Sequence, residues 1–184
     1  MEYFELFDMP PSFLPDESLL RKRFLQLSRQ HHPDFHSLAP PAVQAAALEK
    51  STRLNEAYVV LSDFNARMEY ILLQEGCLTD SDRNDLPPEF LQDMMEVNEL
   101  LMELEFDSNP ELLSQIRTQI LGLESSERRK VEASLTGYDN PDTDRNTVLR
   151  AAKDFHLKQK YVWRIKEKID KFAAASDGNN NLGT

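Results

Sequence analysis

A chain of 184 residues is long enough for one large or two small domains with real cores, and its net charge of −11, from 32 acidic and 21 basic side chains, argues against a nucleic-acid binder, whose footprint is normally basic. The single cysteine, Cys77, excludes an internal disulfide framework and any Cys-x-x-Cys pair for zinc or redox chemistry. No apolar run approaches the length of a membrane span, and residues 1–5 have neither the basic start of a signal peptide nor the Arg-rich, acid-poor character of a transit peptide, so a reducing, cytoplasmic setting without a membrane partner is expected.

The balance of Leu, Glu, Arg and Ala, with little Gly or Ser before residue 176, favours helix throughout and predicts an all-α fold. The first apolar segment, Tyr3 to Phe7, stops at Pro10 and Pro11 and suits one or two helical turns. Asp16 or Ser18 can cap the next helix, in which Leu20, Phe24, Leu27 and His31 fall at i, i+4, i+7 and i+11, with Arg21, Lys22, Arg23 and Arg29 assigned to the opposite side. Proline biases the residue before it out of the α region, so this helix must end at His32, and His32-Pro33-Asp34 occupies the tip of a helical hairpin.

After a loop to Pro41, a long helix runs to about Leu61 with Ala47, Leu54, Ala57, Tyr58 and Leu61 at helical spacing, and it can pair antiparallel with the helix before the loop. A shorter helix, from about Asn65 to Gln74, closes at Gly76 in the position of a C′ glycine. These pieces predict a domain over 1–76. The polar, acidic segment 77–88, closed by Leu86-Pro87-Pro88, is expected to be a linker, and residues 77–110 as a whole hold ten acidic groups and one basic.

The remainder reads as three helices with narrow apolar seams, an antiparallel three-helix bundle over 89–175. The first seam is Phe90, Met94, Val97, Leu101 and Leu104; the second is Leu113, Ile116, Ile120 and Leu123. A break from Gly137 to Pro141 follows, then a third helix capped by Asp142 or Thr143, with a seam of Ala152, Phe155, Val162, Ile165, Ile169 and Phe172. A disordered tail is expected over 176–184.

Nothing in the chain has the marks of an enzyme site. His31, His32 and His36 are close, but no thiolate or suitably spaced acid converges with them, so no metal is expected. No phosphate-cradling glycine loop or nucleophile elbow is present, so neither a nucleotide nor another cofactor is expected. The first bundle helix has surplus apolar surface: Leu91, Met95 and Met102 lie beside its seam, flanked by Glu96, Glu99 and Glu103, an apolar centre with an acidic rim that suits a protein-binding face.

Residues 1–76 resemble a J-domain, on the strength of His32-Pro33-Asp34 in the hairpin loop combined with Arg21, Lys22, Arg23 and Arg29 in the helix before it. A basic helix face alone is usually a solvated face; joined to the tripeptide it becomes a specific pattern. The whole chain is similar to the HscB family, the J-type co-chaperones of iron–sulfur cluster assembly, in Met1-Glu2-Tyr3-Phe4-Glu5-Leu6-Phe7, in Arg67-Met68-Glu69-Tyr70-Ile71-Leu72, and in the stretch from Phe90-Leu91 to Glu103. It lacks the Gly/Phe-rich linker and cysteine-rich repeats of general DnaJ proteins and the zinc module of eukaryotic relatives, and it carries Leu25 and Gln26 where general J-domains often have further basic residues.

That resemblance implies a protein without chemistry of its own. The J-domain would dock on a DnaK-type ATPase, HscA or DnaK, through His32, Pro33, Asp34 and the basic helix, and stimulate ATP hydrolysis. The bundle would deliver the scaffold IscU through Leu91, Met95, Glu96, Glu99, Glu103 and an aromatic of the third helix, Tyr161. The alternatives are a J-domain protein serving a different client and a helical adaptor with a fortuitous tripeptide.

Overall fold

The computed structural model describes residues 1–79, 86–106, 109–138, 140 and 142–180, with residues 174–180 given by backbone alone. Among the described residues every regular element is helical: α1 (Glu2–Leu6), α2 (Glu17–Gln30), a 3-10 turn (Pro33–His36), α3 (Pro41–Ser62), α4 (Phe64–Gln74), α5 (Pro88–Phe106), α6 (Pro110–Leu135) and α7 (Arg145–Asn180). Half of the linker expected at 77–88 (residues 80–85) and the end of the expected tail (181–184) lie outside the described residues. The backbone of α7 continues through Asn180, into the segment read as tail.

Local chemistry accounts for the helix ends. Asp16 accepts from the Leu19 amide to start α2, and Asp63 accepts from the Ala66 amide to start α4. At the end of α4, Gly76 sits at φ +67°, with the amides of Gly76 and Cys77 on the carbonyls of Leu73 and Leu72, a turn that a residue with a Cβ adopts only under strain. Helix α7 is capped one residue after Thr143 and two after Asp142, the two expected caps. Asp142 donates its amide to the Asn140 side chain, Thr143 packs where a Cβ on Gly137 would stand, and Asp144 becomes the cap, accepting from the Asn146 amide and the Thr147 hydroxyl.

The chain forms two compact units. The first comprises Met1–Cys77 together with Leu135–Leu149, a wider set than residues 1–76. Its core is Phe4, Phe7, Phe13, Leu20, Leu54, Leu61, Met68, Ile71 and Leu72, all essentially inaccessible. Arg67 is buried among them at 2% exposure, its Nε donating to the Phe13 carbonyl at 3.0 Å and an η-nitrogen to the Leu61 carbonyl, while Glu17 lies 3.9 Å away.

Residues 135–149 complete this unit. Buried Tyr138 packs edge-on against Phe13 at 4.8 Å between centroids, and its hydroxyl donates to Glu75 at 2.8 Å. Arg145 binds the same Glu75 oxygen at 2.6 Å and lies over the Tyr138 ring. Burial first, then the hydrogen bond and charge of Glu75, push the Tyr138 hydroxyl well above the usual phenol range, so it stays a donor.

The second unit, residues 78–134 and 150–184, packs α5 with most of α6 and α7, and residues 135–149 of the expected 89–175 span fall in the first unit instead. Phe90, Met94, Val97, Leu101, Leu104, Ile116, Ile120, Val162, Ile165 and Ile169 form one buried cluster, with Leu113, Leu123 and Phe172 half-buried at its edge. Ion pairs set direction: Arg117 with Asp170, Glu124 with Lys166 and Glu127 with Lys158 run up α6 and down α7, so the two are antiparallel. Gln119 on Glu96 and Lys130 in the field of Asp93 and Glu89 relate α5 to α6 in the same antiparallel sense.

Glu127 is buried, and Lys130 at 2.6 Å and Lys158 at 2.5 Å both donate to it. Burial alone would raise its carboxyl, but the two lysine hydrogen bonds and charges outweigh that and hold it below the usual carboxylate range. Because the folded value lies below the unfolded one, this carboxylate contributes its full stability above the ordinary carboxylate range and loses it as pH falls through the folded value.

Two stability predictions follow from these charges. Arg67→Met leaves the Phe13 and Leu61 carbonyls buried without their donor and should cost about 3 kcal/mol by urea unfolding. Glu127→Gln should cost about 2 kcal/mol at pH 7, and the difference from wild type should shrink steadily as the same titration is repeated from pH 5 down to pH 3.

Candidate functional site

The hairpin tip is built by short-range bonds. His32 has the extended backbone demanded of a residue before proline, φ −65° and ψ 129°, and its Nδ1 accepts from the Asp34 amide at 3.3 Å. The Asp34 carbonyl accepts from the Ser37 hydroxyl at 3.0 Å, and Gln44 at the start of α3 reaches back to the carbonyls of Ser37 and Ala39 at 3.0 and 2.8 Å. His36 Nε2 lies 3.2 Å from the Gln30 carbonyl. The backbone of the tripeptide is thus tied on both sides, while the Asp34 carboxylate stands 85% exposed.

The stems of the hairpin hold this tip away from the core. Phe24 of α2 and Tyr58 of α3 stack at 4.0 Å between centroids, backed by buried Leu20, Leu54 and Ala57. Half-buried His31 caps α2; burial, then the charges of Lys50 and His36, hold its imidazole below the usual histidine value, so it stays neutral at neutral pH. Phe35, 76% exposed with its ring edge-on to His32, and fully exposed Leu38 flank the acid. The sequence reading assigned neither a role, since an apolar residue in a short loop carries no periodic signal.

The basic face needs one correction. Arg21, Lys22 and Arg29 are exposed and line a shallow groove with Ser18, Leu25 and Gln26. Arg23 is not part of it. Its η-nitrogen donates to the Phe7 carbonyl at 2.6 Å, the Asp8 carbonyl at 2.6 Å and the Asp8 carboxylate at 2.7 Å. Three residues after buried Leu20 and four before Leu27, Arg23 flanks the core side of α2, where the unsatisfied end of α1 and the left-handed Asp8 at φ +50° offer it acceptors.

On α5 the five seam residues are buried and the second strip is not: Leu91 is 44% exposed, Met95 and Met102 61% each. Those values exclude core packing within the described residues. Glu96, Glu99 and Glu103 are exposed on the far side of the strip, Glu96 accepting from Gln119 at 3.1 Å. Tyr161, expected as an aromatic contact on this face, is half-buried instead of projecting. Its ring sits edge-on to Phe90 at 5.7 Å and its hydroxyl accepts from Asn98 at 3.0 Å.

Comparison with known proteins covers both units. The DnaJ domain family matches residues 2–70, and the family described as the HSCB C-terminal oligomerisation domain matches residues 86–170. The co-chaperone protein HscB homolog of Vibrio vulnificus is 30% identical over 172 residues, 92% of this chain and 95% of the relative. Among solved structures, chaperone HscB from Vibrio cholerae is similar with a TM-score of 0.68 at 27% identity, over 95% of this chain and 99% of that one. Human co-chaperone protein HscB is similar with a TM-score of 0.70 at 27% identity, over 92% and 81%.

The two kinds of arginine on α2 are separable by experiment. Arg23→Ala should lower stability by about 1–2 kcal/mol through the lost carbonyl and carboxylate bonds, whereas Arg21→Ala and Lys22→Ala should stay within about 0.5 kcal/mol of wild type in urea unfolding.

Proposed function

This chain belongs to the HscB family of co-chaperones and carries its J-domain, and on that premise we propose that it docks on a DnaK-type chaperone, HscA or DnaK, stimulates its ATPase, and delivers the iron–sulfur scaffold IscU to it in the cytoplasm. The observation that carries the first part is Asp34: a carboxylate left 85% exposed at a tip whose backbone is tied down by His32, Ser37 and Gln44. An exposed, pre-oriented carboxylate can make a charge-assisted contact with a cationic group on the ATPase without first ordering its own loop. The exposed Arg21, Lys22 and Arg29 supply steering toward an acidic partner surface.

The protein contributes no reacting group to ATP hydrolysis in this reading. Its effect is differential affinity: by binding the partner's hydrolysis-competent state better than its resting state, it shifts that population. Client delivery is supported by the exposed strip of Leu91, Met95 and Met102 with its rim of Glu96, Glu99 and Glu103, where apolar anchors supply affinity and charges select the partner.

Steady-state ATPase assays of the partner chaperone with Asp34→Ala should show stimulation reduced by at least about tenfold, with protein stability unchanged. Survival of stimulation would favour the adaptor reading. Titration of IscU should show affinity falling about tenfold in Met95→Ala or Glu99→Ala. If the wild type itself does not bind IscU, the client is a different protein.

A further inference from the structure

We infer that Tyr161, Arg164 and Lys168 of α7 form a second, cationic wall of the client face, so that the segment docked on α5 presents an apolar centre, turns carboxylates toward α7 and turns basic groups toward the glutamates of α5. The inference rests on the reading of the α5 strip as the client face. It adds a residue set outside that strip and fixes the polarity of what binds.

Asn98 places the wall. Leu91, Met95, Asn98 and Met102 fall at i, i+4, i+7 and i+11, so Asn98 is the polar member of the exposed strip itself. Its side-chain nitrogen donates to Tyr161 Oη at 3.0 Å, which puts the phenol hydroxyl at the edge of the strip instead of out in solvent. The Arg164 guanidinium lies 5.8 Å over the Tyr161 ring; its Nε donates to the Lys160 carbonyl at 3.4 Å, and stacking on an aromatic leaves the in-plane donors of its η-nitrogens available. Lys168 is one turn further along the same row, the three residues standing at i, i+3 and i+7.

The cations of α7 are divided by face. Lys158 and Lys166 are held by Glu127 and Glu124 of α6. Arg164 and Lys168 are exposed and make no ion pair among the described residues, in a chain of net charge −11 whose α5 exposes Glu99 and Glu103. Glu96, Glu99 and Glu103 lie across the strip from α7, so the apolar row of Leu91, Met95 and Met102 keeps these three carboxylates apart from Arg164 and Lys168, while exposed Glu105, at i+7 from Asn98, stands on the α7 side. Two rows of opposite sign with an apolar row between them are complementary to a segment of one polarity only, and reversing that segment would set like charges together on both sides.

The test is titration of full-length wild type and variants with purified IscU. Arg164→Glu and Lys168→Glu should each weaken binding at least tenfold, and the double variant should lose most of the salt dependence of affinity, while Arg129→Glu, the same charge change at an exposed position of α6, should stay within about twofold. Arg164→Gln, which keeps a side chain over the Tyr161 ring, should show an intermediate loss; circular dichroism and thermal unfolding check that all variants fold alike. If Met95→Ala weakens binding but Arg164→Glu and Lys168→Glu do not, the cationic wall is wrong and the α5 face stands. An equal loss in Arg129→Glu would also overturn the wall, since net charge would then be the cause. Wild type that fails to bind IscU overturns both.

Discussion

A single buried guanidinium organises the first unit. Arg67 joins the carbonyl of Phe13, before α2, to that of Leu61, near the end of α3, and brings Glu17 at the start of α2 within 3.9 Å. A cation in that position is tolerated only because its donors are matched by fixed acceptors, and the matching constrains where three segments can lie. The hairpin of α2 and α3 departs from this fixed base through Leu20, Leu54 and the Phe24–Tyr58 stack. Before Ala47, α3 has no buried residue, so core packing does not reach the tip. The tip must therefore make its own shape, and Pro33, the His32 ring, Ser37 and Gln44 make it with bonds that span only a few residues each.

That division of labour suits a contact element. The core fixes where the tip stands, local bonds fix its backbone, and the Asp34 carboxylate is left uncommitted to the core. The bundle follows a parallel logic. Its buried carboxylate, Glu127, is held by two lysines, and the α6–α7 ion pairs set register along one side, so the opposite flank of α5 is free to carry apolar and charged side chains that the fold itself does not use.

Much of this was legible in residue spacing. The seam of α5 from Phe90 to Leu104, the cap at Asp16, one of two candidates with Ser18, the glycine stop at Gly76 and the turn at His32-Pro33-Asp34 all lie where helical periodicity, capping and proline and glycine stereochemistry put them. The exposed strip of α5 was legible for the same reason, since a residue's angle around a helix follows from its number. Arg23 marks the limit of that rule: at the border between the core side and the solvent side, its angle allows either, and only the end of α1 with its open carbonyls decided where it went.

What the sequence determined by itself is the set of local elements: seven helices among the described residues, their faces, and the turn at His32-Pro33-Asp34, because each depends on residues close to one another in the chain. What only the tertiary structure decided is which distant residues complete each unit. Tyr138 closes the core of the first unit by donating to Glu75, and Tyr161 is held at the edge of the α5 strip by Asn98. Each of those bonds spans 63 residues, and no periodicity in the chain encodes a partner at that separation. It is settled only when the packed helices bring one donor and one acceptor to within bonding distance and out of competition with water.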